Sequence, residues 1–177
     1  MKETGLIRRI DNLGRVVLPI HFRKKANIFE NDDVEITINE NNQIIISKYN
    51  SLLGMSKMFD NITLTLYKQI KGTILITDEN KILSSYGLKA SIYSKEEILS
   101  QELKKRINSN PSMLPNSKII STLLEEATSF VYPIVGRNGK EIGAIVYIYE
   151  KDLLENVSQI ISSYAIFISE MLKDLWD

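Results

Sequence analysis

Apolar residues recur along this chain with two different periods, and the change of period divides it. Over the first fifty residues the repeat is two. Leu6 to Ile10 and Arg15 to Leu18 read as extended segments around a turn cluster of Asp11, Asn12 and Gly14. Pro19 cannot continue a ladder but suits the first turn of a helix, predicted to carry His21 to Ala26. After a polar turn at Glu30-Asn31-Asp32-Asp33, Val34, Ile36 and Ile38 alternate with Glu35 and Thr37, the signature of a half-buried strand. Asn39 to Asn42 is a second turn and Gln43 to Tyr49 a further strand, so these two strands make a hairpin. A 50-residue unit of four short strands buries little core alone. Exchange of strands with a second copy would supply the rest.

Beyond Asn50 and Ser51 the period becomes helical. Leu52, Met55, Phe59, Ile62 and Leu66 step by 3, 4, 3 and 4, an a/d seam that Ser51 can cap. Two arrangements satisfy it: pairing with the same helix of a second subunit, or packing on the chain's own domain. Thr73 to Asp78 and Lys81 to Tyr86 are strands around a loop at Glu79-Asn80. Ser94 with Glu97 makes a capping box, predicting a helix to about Asn108 with Ile98, Leu99, Leu103 and Ile107 inward. Pro111 and Pro115 mark Asn108 to Ser117 as a loop, and Lys118 to Thr128 fits strand or helix equally. Phe130 to Val135 and Glu141 to Tyr149 are strands around the turn Gly136-Arg137-Asn138-Gly139.

A last helix starts at Lys151-Asp152. Leu154, Val157, Ile161, Tyr164, Ile168, Met171 and Leu175 step by 3, 4, 3, 4, 3 and 4, widened by Leu153, Ile160, Phe167 and Trp176. The stripe is longer than one small sheet requires. Ile161, Tyr164, Ile168 and Leu172 are therefore expected to meet the same helix of another subunit.

Charge sharpens the division. The chain balances 22 basic against 22 acidic residues, but residues 1–25 hold seven basic side chains against Glu3 and Asp11, and residues 26–50 hold Lys48 against five acidic ones. A local concentration of this kind is the footprint of a polyanion binder, or a solvated cationic face. Cysteine is absent, which excludes disulfides, thiolate metal sites and cysteine nucleophiles and fits a reducing compartment. The N-terminus lacks the apolar run of a signal peptide, and no stretch is long and apolar enough to span a membrane.

The run Gly5-Leu6-Ile7-Arg8-Arg9-Ile10-Asp11-Asn12-Leu13-Gly14-Arg15-Val16-Val17-Leu18-Pro19, followed by Arg23-Lys24, closely resembles the AbrB-type swapped-hairpin DNA-binding domain of bacterial transition-state regulators. The resemblance implies a β-fold interleaved between two subunits, with Arg8, Arg9, Arg15, Arg23 and Lys24 docking on double-stranded DNA. It departs from the family at His21-Phe22, at Lys25-Ala26-Asn27-Ile28 and at Asn31-Asp32, where Asn31 stands for a glycine but tolerates the left-handed region. Residues 51–177 follow the element order of a GAF-like or PAS-like sensor domain and resemble a GAF domain in the strings Thr73 to Asp78 and Tyr132 to Val135. The implied fold is α+β: a swapped-hairpin β dimer over 1–50, and a GAF-like sensor and oligomerisation domain over 51–177, with 51–71 as linker helix.

Little else carries chemistry. His21 is the only histidine, so a catalytic triad or a histidine-rich metal site is out of reach; it can contact a phosphate or simply face solvent. The turn at Gly136 to Gly139 lacks the ending of a phosphate-binding loop. No cofactor and no enzyme activity are expected. A small ligand could sit between the sheet and segment 94–128, lined by Tyr86, Tyr93, Phe130 and Tyr132, or these aromatics are core. The functional expectation is a cytoplasmic, nucleoid-associated regulator of sporulation or stationary-phase genes. It would be dimeric through residues 1–50 and tetrameric through helices 52–70 and 153–176, with an unidentified small molecule as a further partner. The rivals are an antitoxin-like protein-binding module and a ligand sensor that has lost DNA binding.

Overall fold

The alternating segment 34–38 and the strand expected after it form an antiparallel hairpin in the computed structural model, which describes residues 5–50, 52–149 and 156–174. Strands β1 (Val34–Ile38) and β2 (Ile44–Lys48) pair with Val34 opposite Lys48, Ile36 opposite Ile46 and Ile38 opposite Ile44, so one side of the ribbon is aliphatic but for Lys48 at its end. The helix predicted after Pro19 is α1 (Ile20–Lys25), with Arg23, Lys24 and Lys25 in its last turn, where the dipole favours cations. Asn27 adopts φ +59 and ends it: the Ile28 amide donates to the Arg23 carbonyl at 2.8 Å and the Asn27 amide to that of Lys24 at 3.2 Å. This double bond is the Schellman ending, achieved with asparagine. Asn31 likewise sits at φ +64, as its tolerance of that region requires.

Residues 5–19 differ from expectation. Leu6 to Ile10 and Arg15 to Leu18 form no ladder within the chain; the loop between them is closed by the Asp11 amide donating to the Arg15 carbonyl at 3.1 Å. Among the described residues of this unit, Ile28 is the one buried apolar side chain, while Ile7, Ile10, Val17, Ile36, Ile38 and Ile44 are exposed. A single copy has almost no core here, as its length predicted.

Residues 51–177 form a second unit. A 3₁₀ turn at Leu53–Met55 leads into α2 (Ser56–Ile70). Strands β3 (Thr73–Asp78), β4 (Ile82–Gly87), β5 (Ser112–Lys118), β6 (Glu126–Val135) and β7 (Glu141–Ile148) make one antiparallel sheet in the order β4-β3-β7-β6-β5. Helices α3 (Gln101–Ile107) and α4 (Val157–Asp174) complete the unit.

The sheet is buried on both faces. On one face α2 and α4 lay Phe59, Ile62, Leu66, Ile161, Ile168 and Leu172 against Ile74, Ile76, Tyr132, Ile134, Ile145 and Tyr147. On the other, Tyr93, Leu99, Leu103, Ile107, Ile119 and Ile120 cover Leu75, Val131, Ala144 and Val146. The first of these layers decides between the two arrangements of the first seam and corrects the expectation for the last helix. The seam Leu52, Phe59, Ile62 and Leu66 is consumed by its own domain, and so are Ile161, Ile168 and Leu172, all buried. Ser51, Leu153, Leu154, Leu175 and Trp176, and the expected helix start at Lys151-Asp152, lie outside the described residues.

Three local predictions give way to tertiary pairing. Ser94 caps nothing: its hydroxyl donates to the Ser91 carbonyl, and the helix starts later, after Ser100, whose Oγ accepts from the Leu103 amide at 3.1 Å. Residues 96–98 are drawn instead onto the outer edge of β4, the Glu96 amide donating to the Ile82 carbonyl at 2.8 Å and the Ile82 amide to that of Glu97 at 3.0 Å. The loop predicted at Asn108 to Ser117 contains β5, an edge strand whose ladder shifts register between Leu114 and Ser117, around Pro115. Proline is tolerated there because the outer edge makes no ladder. The ambiguous segment 118–128 ends in the first residues of β6.

Candidate nucleic-acid interface and sensor core

The basic residues of the first unit sit on three supports: the extended arm, the loop after it, and α1. Arg8 and Arg9 are exposed on the arm. Arg15 closes the loop. Asp11 Oδ1 accepts from the backbone amides of Leu13 and Arg15, each at 2.9 Å, while Oδ2 accepts from Arg15 Nε at 2.8 Å. Gly14 provides φ +75 at the point where the chain turns back. The Arg15 amide and guanidinium hold the Asp11 carboxyl below the usual carboxylate range. Lys24 and His21 are exposed on α1, the imidazole tilted against the Phe22 ring at 4.4 Å. Arg23 is half-buried, and its Nε donates to the Leu18 carbonyl at 3.2 Å, which ties α1 to the end of the arm. The structure thus brings Arg23 and the arm together through a bond and leaves Arg8, Arg9, Arg15 and Lys24 facing solvent.

The Asp11 loop has a twin. At Asn39 the Oδ1 accepts from the amides of Asn41 (3.1 Å) and Gln43 (2.9 Å), and Asn42 stands at φ +59 in the place of Gly14. The backbone bonds match: Gly14 to Asp11 and Asn42 to Asn39, both at 3.0 Å. Asn39 Nδ2 donates to Gln43 Oε1 at 2.8 Å where the first loop has its ion pair. The loop geometry therefore needs neither a carboxylate nor an arginine. The sequence signal of that pairing is Asp-Asn-Leu-Gly-Arg and Asn-Glu-Asn-Asn-Gln, each between two aliphatic runs.

In the second unit the four candidate ligand aromatics do not share a face. Tyr93 is fully buried beneath the 88–124 segment. Tyr132 is buried, and Phe130 half-buried, on the α2/α4 side, and Tyr86 tilts against Tyr67 of α2 at 5.1 Å. Residues of one parity on a strand point to one face, so Phe130 and Tyr132 could not join a pocket that the odd positions of β6 floor. What that other face does offer is hydroxyls: Thr77 Oγ1, Ser85 Oγ and Ser129 Oγ are buried with no hydrogen-bond partner.

A polar clasp joins α2 to the sheet and to the covering segment. Ser84 Oγ donates to Asp60 Oδ1 at 2.7 Å and lies 3.0 Å from Thr63 Oγ1, and Lys95 Nζ lies 2.7 Å from the same carboxylate. Burial works to raise the Asp60 pKa, but Lys95 and Ser84 outweigh it and hold the carboxyl below its ordinary value. Among the described residues no group of His, Cys, Asp and Glu could hold a metal ion, and no helix is long and apolar enough to cross a membrane.

Residues 7–53 match the family model described as antidote-toxin recognition MazE, bacterial antitoxin. The chain is 30% identical over 156 residues to stage V sporulation protein T of Bacillus subtilis, covering 86% of each. It is 35% identical over 101 residues to the transition state regulatory protein AbrB of the same organism, covering 57% of this chain and 88% of that one. Among solved structures it is similar to the cofactor binding GAF domain of the nutrient sensor CodY from Clostridium difficile, with TM-score 0.45 and 17% identity over 64% of this chain and 84% of that chain.

Proposed function

This chain belongs to the AbrB-type family of transition-state regulators that includes stage V sporulation protein T, and from that premise we propose that it binds double-stranded DNA as a swapped dimer of residues 1–50. Its relatives are regulators and not enzymes. The observation that carries the proposal is the exposed basic set, Arg8, Arg9, Arg15 and Lys24, with Arg23 bonded between helix and arm. It stands in a unit whose unpaired arm and bare aliphatic ribbon call for a second copy. Two copies double every basic side chain around a two-fold axis, as a pseudo-palindromic site requires. Regulation of sporulation or stationary-phase genes is the setting that the relatives' names support, and a cytoplasmic location is proposed with it. An antitoxin role, which the family model's description raises, is less well served: the C-terminal half is a folded sheet domain rather than a free tail.

Affinity is expected to fall steeply with salt, with a log-log slope of about −0.9 per phosphate neutralised. Lys24→Ala should shallow that slope by about one contact per subunit while leaving sequence preference unchanged. Gel-shift titration of the full chain at several salt concentrations decides it; a flat salt response would remove the DNA reading.

The second unit is proposed to sense a small molecule on the sheet face under residues 88–124. The support is the trio Thr77, Ser85 and Ser129, since a buried hydroxyl without a partner costs about 1–3 kcal/mol. A bound ligand with hydrogen-bonding groups would recover that cost. Thr77→Val is then expected to leave the unliganded protein as stable or more stable, and to abolish the rise in melting temperature given by whichever compound of a metabolite panel raises it. A Thr77→Val protein that melts several degrees lower would show that the hydroxyl is already satisfied.

A further inference from the structure

We propose that Asp11 is a specificity-setting positioning residue, which aims the Arg15 guanidinium end-on at a guanine in the major groove. The inference rests on the DNA-binding reading above and deepens it. Arg15 Nε is held 2.8 Å from Asp11 Oδ2, and Asp11 is itself fixed by two backbone amides on its other oxygen. The guanidinium plane is thereby set by the loop rather than by solvent. With Nε occupied, the two terminal nitrogens remain, and they match the O6 and N7 acceptors of guanine, the commonest specific contact of arginine with DNA.

An exposed ion pair is usually worth little. The Arg15 side chain is 72% exposed and that of Asp11 37%, so a stabilising role is a poor reason for this one. Nor does the loop need it, since the Asn39 loop closes with the same backbone bonds and an amide pair in its place. An acidic side chain beside a DNA contact weakens attraction to phosphate. Its presence is explained if orientation matters more at this position than raw charge.

The Asn39 loop also supplies the test. Asp11→Asn should keep the turn, because asparagine closes that same turn in this chain, but it removes the carboxylate oxygen that accepts from Nε. Full-length wild type, Asp11→Asn and Arg15→Gln would each be selected against a random duplex library. Each would then be titrated on the enriched duplex, on that duplex with its symmetric guanines replaced by adenine, and on an unrelated duplex. The expected result for Asp11→Asn is equal or tighter binding to unrelated DNA, from the loss of a negative charge per subunit. Discrimination between guanine and adenine should fall about ten-fold or more, to the level of Arg15→Gln. In NMR spectra the Arg15 Nε–H signal should be protected from exchange in the wild type and exposed in the variant. Should Asp11→Asn unfold, Asp11→Ser, whose hydroxyl can still accept a turn bond but does not reach Nε, carries the same expectations.

Undiminished guanine discrimination by folded Asp11→Asn, while Arg15→Gln loses it, would overturn the proposal and leave the DNA-binding reading intact. A wild type that binds every duplex alike would overturn the proposal alone, and one that binds no duplex would overturn both.

Discussion

Ile36→Glu is expected to leave residues 1–50 unfolded and unable to bind DNA while the second unit keeps its own melting transition. One side of the β1–β2 ribbon carries Val34, Ile36, Ile38, Ile44 and Ile46, with Lys48 at its end opposite Val34, and in one copy Ile36 is 65% and Ile38 72% exposed. A two-stranded hairpin is marginal at best by itself. Its stability must come from covering that side, and each such side chain contributes about 1.5–3 kcal/mol when fully buried. A carboxylate at Ile36 removes that contribution in both subunits and adds the cost of burying a charge. The dimer dissociation constant should rise a hundred-fold or more, at about 1.4 kcal/mol per decade. Thr37→Glu is the control: it sits opposite Ile45 on the other side of the ribbon and should be tolerated. Sedimentation and gel shift read both variants. An Ile36→Glu protein of unchanged mass and DNA affinity would refute the swapped arrangement.

The same residues show where sequence reading succeeds. Alternation at 34–38, the turn residues at 39–42 and the aliphatic run at 44–46 predict the ribbon because a hairpin is local: both strands and the turn lie within a few residues. The period of Leu52 to Leu66 predicts a helix with equal force. It cannot say what the helix lies on, since a sheet and a second helix ask for the same stripe. The buried Phe59, Ile62 and Leu66 show that here it is the sheet. Ser94 fails for a different reason. Its capping box is a local preference worth about 1 kcal/mol, and the free edge of β4 offers residues 96–98 strand-like bonds instead. Of the interface, the arginines were legible as a motif, whereas the hold of Asp11 on Arg15 was not, because an i to i+4 pair outside a helix has no periodic signature. The aromatic residues were a misleading sign of a ligand pocket, since their parity on β6 places Phe130 and Tyr132 against the helices.

The face that a side chain occupies also decides the outcome at α4, where the largest loss of stability is expected. Val157, Ile161, Ala165, Ile168 and Leu172 are buried against the sheet. Replacing both Ile161 and Ile168 by Glu should therefore unfold the second unit rather than split an oligomer. Large-to-small changes at such positions alone cost about 2–5 kcal/mol each, and a buried carboxylate costs more. The stripe open to a second copy is centred on Phe167, 55% exposed, and half-buried Met171, flanked by Ile160 and Tyr164, which pack in part on the same core. Phe167→Glu should keep the melting temperature within a few degrees and lower the oligomer mass. If helix pairing links DNA-binding dimers, the variant should also lose affinity for duplexes carrying two separated sites by about a hundred-fold. A single short site should bind as before, since linkage acts through effective concentration and not through new contacts. A folded Ile161→Glu/Ile168→Glu protein of reduced mass would restore the inner stripe as the subunit seam. A Phe167→Glu protein of unchanged mass would remove the outer one.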